Sequence, residues 1–169
     1  MKATGVTGTT ARRAAATGFA VLSLAAASLI TAAPGQAAGP ITSCIGVEAT
    51  ILGTARGETL VGTDGRDVIV ARGGDDTVNG MGGNDLICGG TGMDTVNGDD
   101  GDDIIWSQID NDVVRGGAGN DLLIGGFGDD LLFGEGGNDR LVGMAGYDVA
   151  DGGTGVDICM SDRDIDCEQ

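Results

Sequence analysis

The chain repeats a nine-residue pattern that keeps its phase from residue 53 to residue 160, with 161–169 as a final unit. An acidic residue holds the sixth position of every unit, and an apolar residue holds the eighth position of the first twelve. No amphipathic helix has this period, and an internal repeat of this length predicts a solenoid of stacked coils. The sixth-position residues are Glu58, Asp67, Asp76, Asp85, Asp94, Asp103, Asp112, Asp121, Asp130, Asp139, Asp148, Asp157 and Asp166.

Each unit joins turn-forming residues to strand-forming residues. The first six positions are rich in Gly, Asp and Asn, as in 116–121, and the last three are β-formers, as in 122–124. Glycine supplies the positive φ angles of a tight turn, and a three-residue strand points its middle side chain to one face. The pattern therefore predicts that two units complete an 18-residue coil around a thin core of eighth-position side chains.

The charge of the chain excludes several classes of function. The formal net charge is −17, there is no histidine, and 26 acidic residues face only nine basic ones. Such a chain repels nucleic acids and anionic membranes. The lack of histidine removes the commonest general base and the commonest zinc ligand, which argues against most hydrolases.

The repeated carboxylates require a counter-ion. Stacked coils would bring them within about 4.8 Å of one another, whereas one buried apolar side chain per unit contributes only about 2 kcal/mol. Turns that offer oxygen ligands, without histidine or a thiolate cluster, favour Ca²⁺ over Zn²⁺ or Cu²⁺. The sequence thus predicts that several Ca²⁺ ions are bound along the coil.

Units 80–88 (GMGGNDLIC) and 116–124 (GGAGNDLLI) closely resemble the glycine-rich nonapeptide GGxGxDxUx of RTX, or haemolysin-type, calcium-binding repeats. The resemblance covers 53–160. It implies an all-β fold, a right-handed parallel β-roll (β-solenoid) with two repeats per coil, and Ca²⁺ held in the turns. The implied ligands are turn carbonyls from units two apart and the sixth-position carboxylates of Asp67, Asp76, Asp85, Asp94, Asp103, Asp112, Asp121, Asp130, Asp139, Asp148 and Asp157.

Three units depart from this pattern. Unit 107–115 lacks the usual glycines, so we expect a weak site there, with Asp110 in a left-handed conformation. Unit 53–61 is predicted to start the roll as a cap, and unit 161–169 to close it. In the latter the phase places Asp166 at the sixth position and Glu168 at the core position.

The first 37 residues have the features of an export signal. Lys2 and Arg12 lie in a basic region, 19–30 is apolar, and small residues suggest cleavage after Ala37. The apolar stretch is too short for a comfortable transmembrane span. Both the Sec and twin-arginine routes stay open, as does lipidation at Cys44 as a minor alternative. We therefore expect a secreted, extracellular protein divided into an export signal (1–37), an N-terminal cap segment (38–52), a calcium-binding roll (53–160) and a C-terminal cap (161–169).

The four cysteines favour disulfides in an exported protein, with three connectivities open. Positions seven and nine of alternate units form an apolar stripe that includes Cys88. We prefer the explanation that 41–52 folds back over this stripe, pinned by a Cys44–Cys88 disulfide; the alternative is a surface for a protein or cell-surface partner, or for self-association. The remaining pair, Cys159 and Cys167, would then close the C-terminal cap.

These features predict a secreted calcium-binding β-roll that folds on Ca²⁺ binding after export and acts as a structural or binding module. The alternative is a calcium-dependent cell-surface adhesin or matrix protein, which shares the same calcium chemistry. A secreted hydrolase is disfavoured, because the paired acids recur in register and no insertion interrupts the repeat to build a pocket. We therefore expect no enzymatic activity.

Overall fold

The computed structural model of the protein describes residues 42–167, and the predicted export signal lies outside this range. Between residues 42 and 167 the chain forms β-strands and no helix, so it offers no helix that could cross a membrane. A short antiparallel hairpin comes first, made of β1 (Ser43–Cys44) and β2 (Val47–Glu48).

Two parallel sheets of seven strands follow the hairpin. The first sheet contains β3 (Ile51–Leu52), β5 (Val68–Gly73), β7 (Leu86–Thr91), β9 (Ile104–Ile109), β11 (Leu122–Phe127), β13 (Arg140–Ala145) and β15 (Ile158–Met160). The second contains β4 (Thr59–Val61), β6 (Thr77–Asn79), β8 (Thr95–Asp100), β10 (Val113–Ala118), β12 (Leu131–Gly136), β14 (Val149–Asp151) and β16 (Arg163–Ile165). Consecutive strands alternate between the sheets, which confirms a parallel β-roll.

The strand register confirms the 18-residue coil. Ile104 in β9 pairs with Leu122 in β11, and Leu122 pairs with Arg140 in β13. Most of the inner strands are six residues long, so they are longer than the three residues that the sequence predicts. The extra residues are the first three turn positions of the next unit, whose backbone continues to pair with the neighbouring coil.

The core is a single file of eighth-position side chains from the two sheets. Each of the side chains from the second to the eleventh unit is fully buried, as the sequence predicts. Because nearly every unit contributes a single apolar side chain, the core is narrow and the turns lie along the two outer edges of the roll. These eighth-position residues are Ile69, Val78, Ile87, Val96, Ile105, Val114, Leu123, Leu132, Leu141 and Ala150, and first-position Ala71 packs with them in the same core.

The N-terminal hairpin covers the beginning of the apolar stripe. A disulfide joins Cys44 to Cys88, as predicted. Val70 belongs to the same buried cluster and is only 1% exposed. The segment that folds back ends earlier than the predicted residue 52, because Ile51 already pairs with Ile69 in the first sheet. The cover also ends early, and Ile104 is 40% exposed.

The closing unit breaks the nine-residue phase. Arg163 pairs with Val149, a separation of 14 residues, where every earlier coil has 18. Only residues 161–162 form the turn between β15 and β16, because four turn positions are missing. The prediction that Asp166 holds the sixth position is therefore wrong, whereas the predicted Cys159–Cys167 disulfide is present.

Candidate metal centre

The turns bring the predicted aspartates into two straight rows, one along each edge of the roll. We call the row of turns that precede strands of the first sheet edge I, and the row that precede strands of the second sheet edge II. All eleven predicted aspartates are buried, with exposed fractions between 0% and 6%. Edge I holds Asp67, Asp85, Asp103, Asp121, Asp139 and Asp157; edge II holds Asp76, Asp94, Asp112, Asp130 and Asp148.

In every predicted aspartate except Asp67, Oδ1 accepts a hydrogen bond from a backbone N–H of the preceding coil on the same edge. The N–H of Asp103 donates to Oδ1 of Asp121 at 2.8 Å, and the N–H of Asp121 donates to Oδ1 of Asp139 at 2.8 Å. On edge II the N–H of Asp94 donates to Oδ1 of Asp112 at 2.8 Å. This ladder gives the aspartates one orientation and points the second oxygen into the turn.

The second oxygen, Oδ2, is buried without a hydrogen-bond partner in eight of these aspartates within the described range. A buried polar atom without a partner is costly, and a buried carboxylate costs more than a neutral group. The eight cases recur in two rows, which indicates a common type of ligand along the edges. They are Asp76, Asp85, Asp94, Asp103, Asp112, Asp121, Asp130 and Asp139.

In six of these eight aspartates, Oδ2 converges with a main-chain carbonyl at the first-position glycine of the same unit; the six are Asp85, Asp94, Asp103, Asp121, Asp130 and Asp139. A Cβ built on Gly80 would lie 2.5 Å from Oδ2 of Asp85 and 2.6 Å from the carbonyl oxygen of Gly98. We call such a set a rung: a first-position residue, the sixth-position carboxylate of its unit and the first-position carbonyl two units later. The absence of a side chain on the glycine leaves the two oxygens facing the same point.

The donor set of a rung fits a hard dication. Carboxylate and carbonyl oxygens are the ligands that Ca²⁺ prefers. Between residues 42 and 167 no three His, Cys, Asp or Glu side chains cluster as a metal site, so turn carbonyls have to complete any coordination shell. The residues therefore match Ca²⁺ in chemistry, with one carboxylate in each rung and the remaining ligands from the backbone.

Burial changes the titration of the aspartates in the middle of the roll. Burial, with neighbouring carboxylates adding to it, raises the pKa of Asp103 and Asp112 to about 7. A backbone hydrogen bond opposes the shift in both, and in Asp112 the side chain of Ser107 opposes it as well. The pKa of Asp94, Asp121 and Asp130 is raised to about 6 for the same reason. A bound cation would reverse this penalty, since a positive charge favours the ionised carboxylate.

The comparison with protein families agrees with this chemistry. The family model of the RTX calcium-binding nonapeptide repeat matches the chain in four copies, at residues 52–87, 89–123, 107–141 and 133–166. The chain belongs to this family. RTX repeats bind calcium, so the roll is a calcium-binding module. No curated protein matches the chain significantly.

The RTX roll begins with a rung that is satisfied differently. Oδ2 of Asp67 accepts hydrogen bonds from the N–H and the hydroxyl of Thr63, at 2.8 and 2.9 Å, and Oδ1 accepts one from the Thr50 hydroxyl at 3.1 Å. Burial by itself would raise the pKa of Asp67. The hydrogen bonds from Thr63 and Thr50 have the larger combined effect, and the pKa lies below its usual value. At the start of edge II, Glu58 similarly accepts a hydrogen bond from the N–H of Thr54.

A second ladder of side chains runs along the outside of the RTX turns, and sequence reasoning missed it. On edge I, Oδ1 of Asp102 accepts from the N–H of Asn120 at 2.8 Å, and Oδ1 of Asn120 accepts from the N–H of Asn138 at 3.1 Å. The donor here belongs to the later coil, so the direction is opposite to that of the buried ladder. The signal in the sequence was the recurrence of Asn or Asp at the fifth position.

The shortened closing turn supplies two further contacts. The N–H of Asp148 donates to Oδ2 of Asp162 at 3.1 Å, so Asp162 takes the place in the ladder that the nine-residue phase assigns to Asp166. The carbonyl oxygen of Asp166 instead lies 2.5 Å from the position that a Cβ would take on Gly152, and it completes the last rung of edge I.

In unit 107–115, which lacks the usual glycines, Asp110 has φ 81°, the predicted left-handed conformation.

Proposed function

We propose that the protein is an exported calcium-binding module whose RTX roll becomes fully ordered when Ca²⁺ fills the rungs. The observation that supports this most strongly is the two rows of buried Oδ2 atoms, six of which face a turn carbonyl beside a first-position glycine. In this proposal the ligands are the sixth-position aspartates and the first-position carbonyls of the turns. The RTX roll is a structural calcium-binding fold, and we assign it no catalytic role.

The coupling between calcium and folding follows from the charge of the turns. At neutral pH and without a cation, the aligned carboxylates repel one another while burial removes the water that would otherwise screen them. Extracellular calcium modules bind at about 10⁻⁴–10⁻³ M, so the roll would order after export, where Ca²⁺ is abundant. The two disulfides also suit an oxidising compartment.

A calcium titration followed by far-UV circular dichroism tests the proposal. We expect the β signal to rise cooperatively as Ca²⁺ is added to EGTA-treated protein. Mg²⁺ serves as the control and is expected to have little effect, because it requires a smaller and more regular coordination shell. A spectrum that is the same in EGTA and in millimolar Ca²⁺ would contradict the folding switch.

A calcium-dependent adhesin or matrix protein is the second candidate, and the outer face of the first sheet favours it. Beyond the hairpin this face carries exposed apolar side chains at Ile104 (40%), Met160 (45%) and Ile158 (55%), with half-buried Leu122 and exposed Arg140 between Ile104 and Ile158. Exposed apolar side chains grouped on one face are typical of an interaction surface. Retention of the protein on producing cells, lost on chelation, would support this candidate, whereas release into the medium at all calcium concentrations would count against it.

A further inference from the structure

The two edges of the roll differ at the first position of their units. On edge I all six first-position residues from 62 to 152 are glycine. On edge II the corresponding residues are Gly53, Ala71, Gly89, Ser107, Gly125 and Gly143. Since the carboxylate and the carbonyl of each rung converge beside the first-position residue, this difference lies at the candidate calcium sites themselves.

A side chain at the first position occupies the point where the oxygens converge. A Cβ built on Gly89 would lie 2.6 Å from Oδ2 of Asp94 and 2.8 Å from the carbonyl oxygen of Ser107. Both distances are shorter than a carbon–oxygen van der Waals contact. A cation coordinated by the same two oxygens therefore competes for space with any side chain larger than hydrogen.

Ser107 places such a side chain in the middle of edge II. It is fully buried, and its hydroxyl donates a hydrogen bond of 3.0 Å to the carbonyl oxygen of Gly125. That carbonyl is equivalent to the Gly98 carbonyl that faces Asp85 in the rung of Gly80. The serine thus fills the rung with its Cβ and also uses the carbonyl that a cation would require.

We infer that the rung formed by Ser107, Asp112 and the Gly125 carbonyl holds no calcium ion and interrupts the series of sites along edge II. Asp112 keeps its structural role there, because its Oδ1 accepts the hydrogen bond from the N–H of Asp94. The rungs of Gly89 and Gly125, on either side, retain the open geometry. This inference rests on the proposed calcium function and states which of the predicted ligands does not bind.

Ala71 presents the same obstacle near the start of edge II. It is fully buried and carries a methyl group at the first position, in the unit of Asp76. Edge I has no counterpart to either residue. Calcium binding would therefore be continuous along the middle of edge I and discontinuous along edge II.

Calcium stoichiometry of the full chain tests the inference with a matched pair of variants. Equilibrium dialysis with metal analysis would count the ions bound to wild type, Asp112→Asn and Asp121→Asn. Both substitutions remove one buried carboxylate charge from the middle of the roll, one on each edge. We expect Asp121→Asn to lose one ion and Asp112→Asn to lose none. Equal loss of one ion from both variants would overturn the inference.

A second pair of variants changes the first position and leaves every carboxylate in place. We expect Ser107→Gly to gain one ion, because the rung opens and the Gly125 carbonyl is released. Gly116→Ser on edge I should lose one ion. An unchanged count for Ser107→Gly would overturn the inference even if Asp112→Asn did not fold. A wild-type chain that binds no calcium would instead contradict the proposed function.

Discussion

Edge I and edge II share the same ladder of buried aspartates, but only edge I leaves every first position open. On edge I, glycine recurs from 62 to 152, and the closing turn even supplies the carbonyl of Asp166 to the last rung. On edge II the series of glycines is interrupted by Ala71 and Ser107. The last predicted aspartate of this edge, Asp148, donates its backbone N–H to the exposed carboxylate of Asp162. The comparison shows that a sixth-position carboxylate aligns a rung, while the first-position residue decides whether space remains for a cation.

The largest effect is expected from paired substitutions on the two edges. Asp103→Asn with Asp121→Asn removes two open rungs on edge I, whereas Asp94→Asn with Asp112→Asn removes one open rung and one filled rung on edge II. At a calcium concentration 100 times the dissociation constant, each lost site costs about 2.7 kcal/mol of unfolding free energy. The edge I pair should therefore lose about 5 kcal/mol, and the edge II pair about 3 kcal/mol.

Urea unfolding in saturating Ca²⁺ measures this difference. Far-UV circular dichroism in EGTA is the control, and there the two pairs should gain similar amounts of β signal over wild type, because both remove two mutually repelling carboxylates. Equal losses in Ca²⁺ would show that the edges are equivalent.

The pH dependence of the calcium-free protein should not distinguish the edges. Asp103 on edge I and Asp112 on edge II both have a pKa of about 7, above the unfolded value of 3.8. A raised carboxyl pKa in the folded state stabilises the protein below the unfolded pKa, and this stability is lost as the pH rises through the folded pKa. In calcium-free buffer the folded fraction, followed by far-UV circular dichroism, should fall between pH 5 and pH 8.

Asp103→Asn and Asp112→Asn should each flatten this pH profile to a similar degree. In saturating Ca²⁺ the profile should reverse, since protons compete with calcium for the same carboxylates and binding weakens at low pH. A calcium-free folded fraction that rises from pH 5 to pH 8 would contradict the assigned direction of the pKa shifts.

Removal of the C-terminal disulfide should affect edge I at its last rung. The bond closes a loop of eight residues and holds the turn that brings Asp166 to Gly152. Cys159→Ser with Cys167→Ser should cost about 2.5 kcal/mol by the chain-entropy model. It should also weaken one calcium site, so that fewer calcium ions are bound per chain at the calcium concentration that half-saturates the wild type. The control pair, Cys44→Ser with Cys88→Ser, should leave the affinity of that last site unchanged.

The smallest effect is expected at the second position, where the edges resemble each other. Met81 on edge I and Met144 on edge II have φ of 79° and 81°, which is unfavourable for a residue with a Cβ. Replacement of either by Gly should relieve this cost and raise the unfolding free energy by up to about 1 kcal/mol, reduced by the entropy of glycine. Thermal unfolding would show equal gains. A gain on only one edge would mean that the second-position backbone also differs between the edges.

Much of the fold and of the candidate site could be predicted from the period of the sequence. A nine-residue repeat with an apolar eighth position requires that Ile105 and Leu123 share one core, and a sixth-position carboxylate must then recur in register along an edge. The Cys44–Cys88 disulfide could be predicted because Cys88 occupies an outward position on an apolar stripe. These inferences depend only on which residues share a face.

The closing turn shows where the period fails. The count of nine places Asp166 in the ladder, but a two-residue turn is long enough to connect β15 to β16, so Asp162 takes that place. The fifth-position ladder was missed for a related reason, because Asn and Asp in a turn are equally compatible with backbone conformation alone. Their use as acceptors depends on the distance between adjacent coils.

The sequence by itself determined the architecture, the core and the rows of aspartates, because a period of fixed length places equivalent residues at equivalent points of every coil. Only the tertiary structure decided which oxygens lack a partner and what lies beside them. That the Ser107 hydroxyl donates to the carbonyl of Gly125, and that the hairpin stops before Ile104, depend on distances between coils. Such distances follow from packing in three dimensions, which the spacing of residues along the chain does not specify.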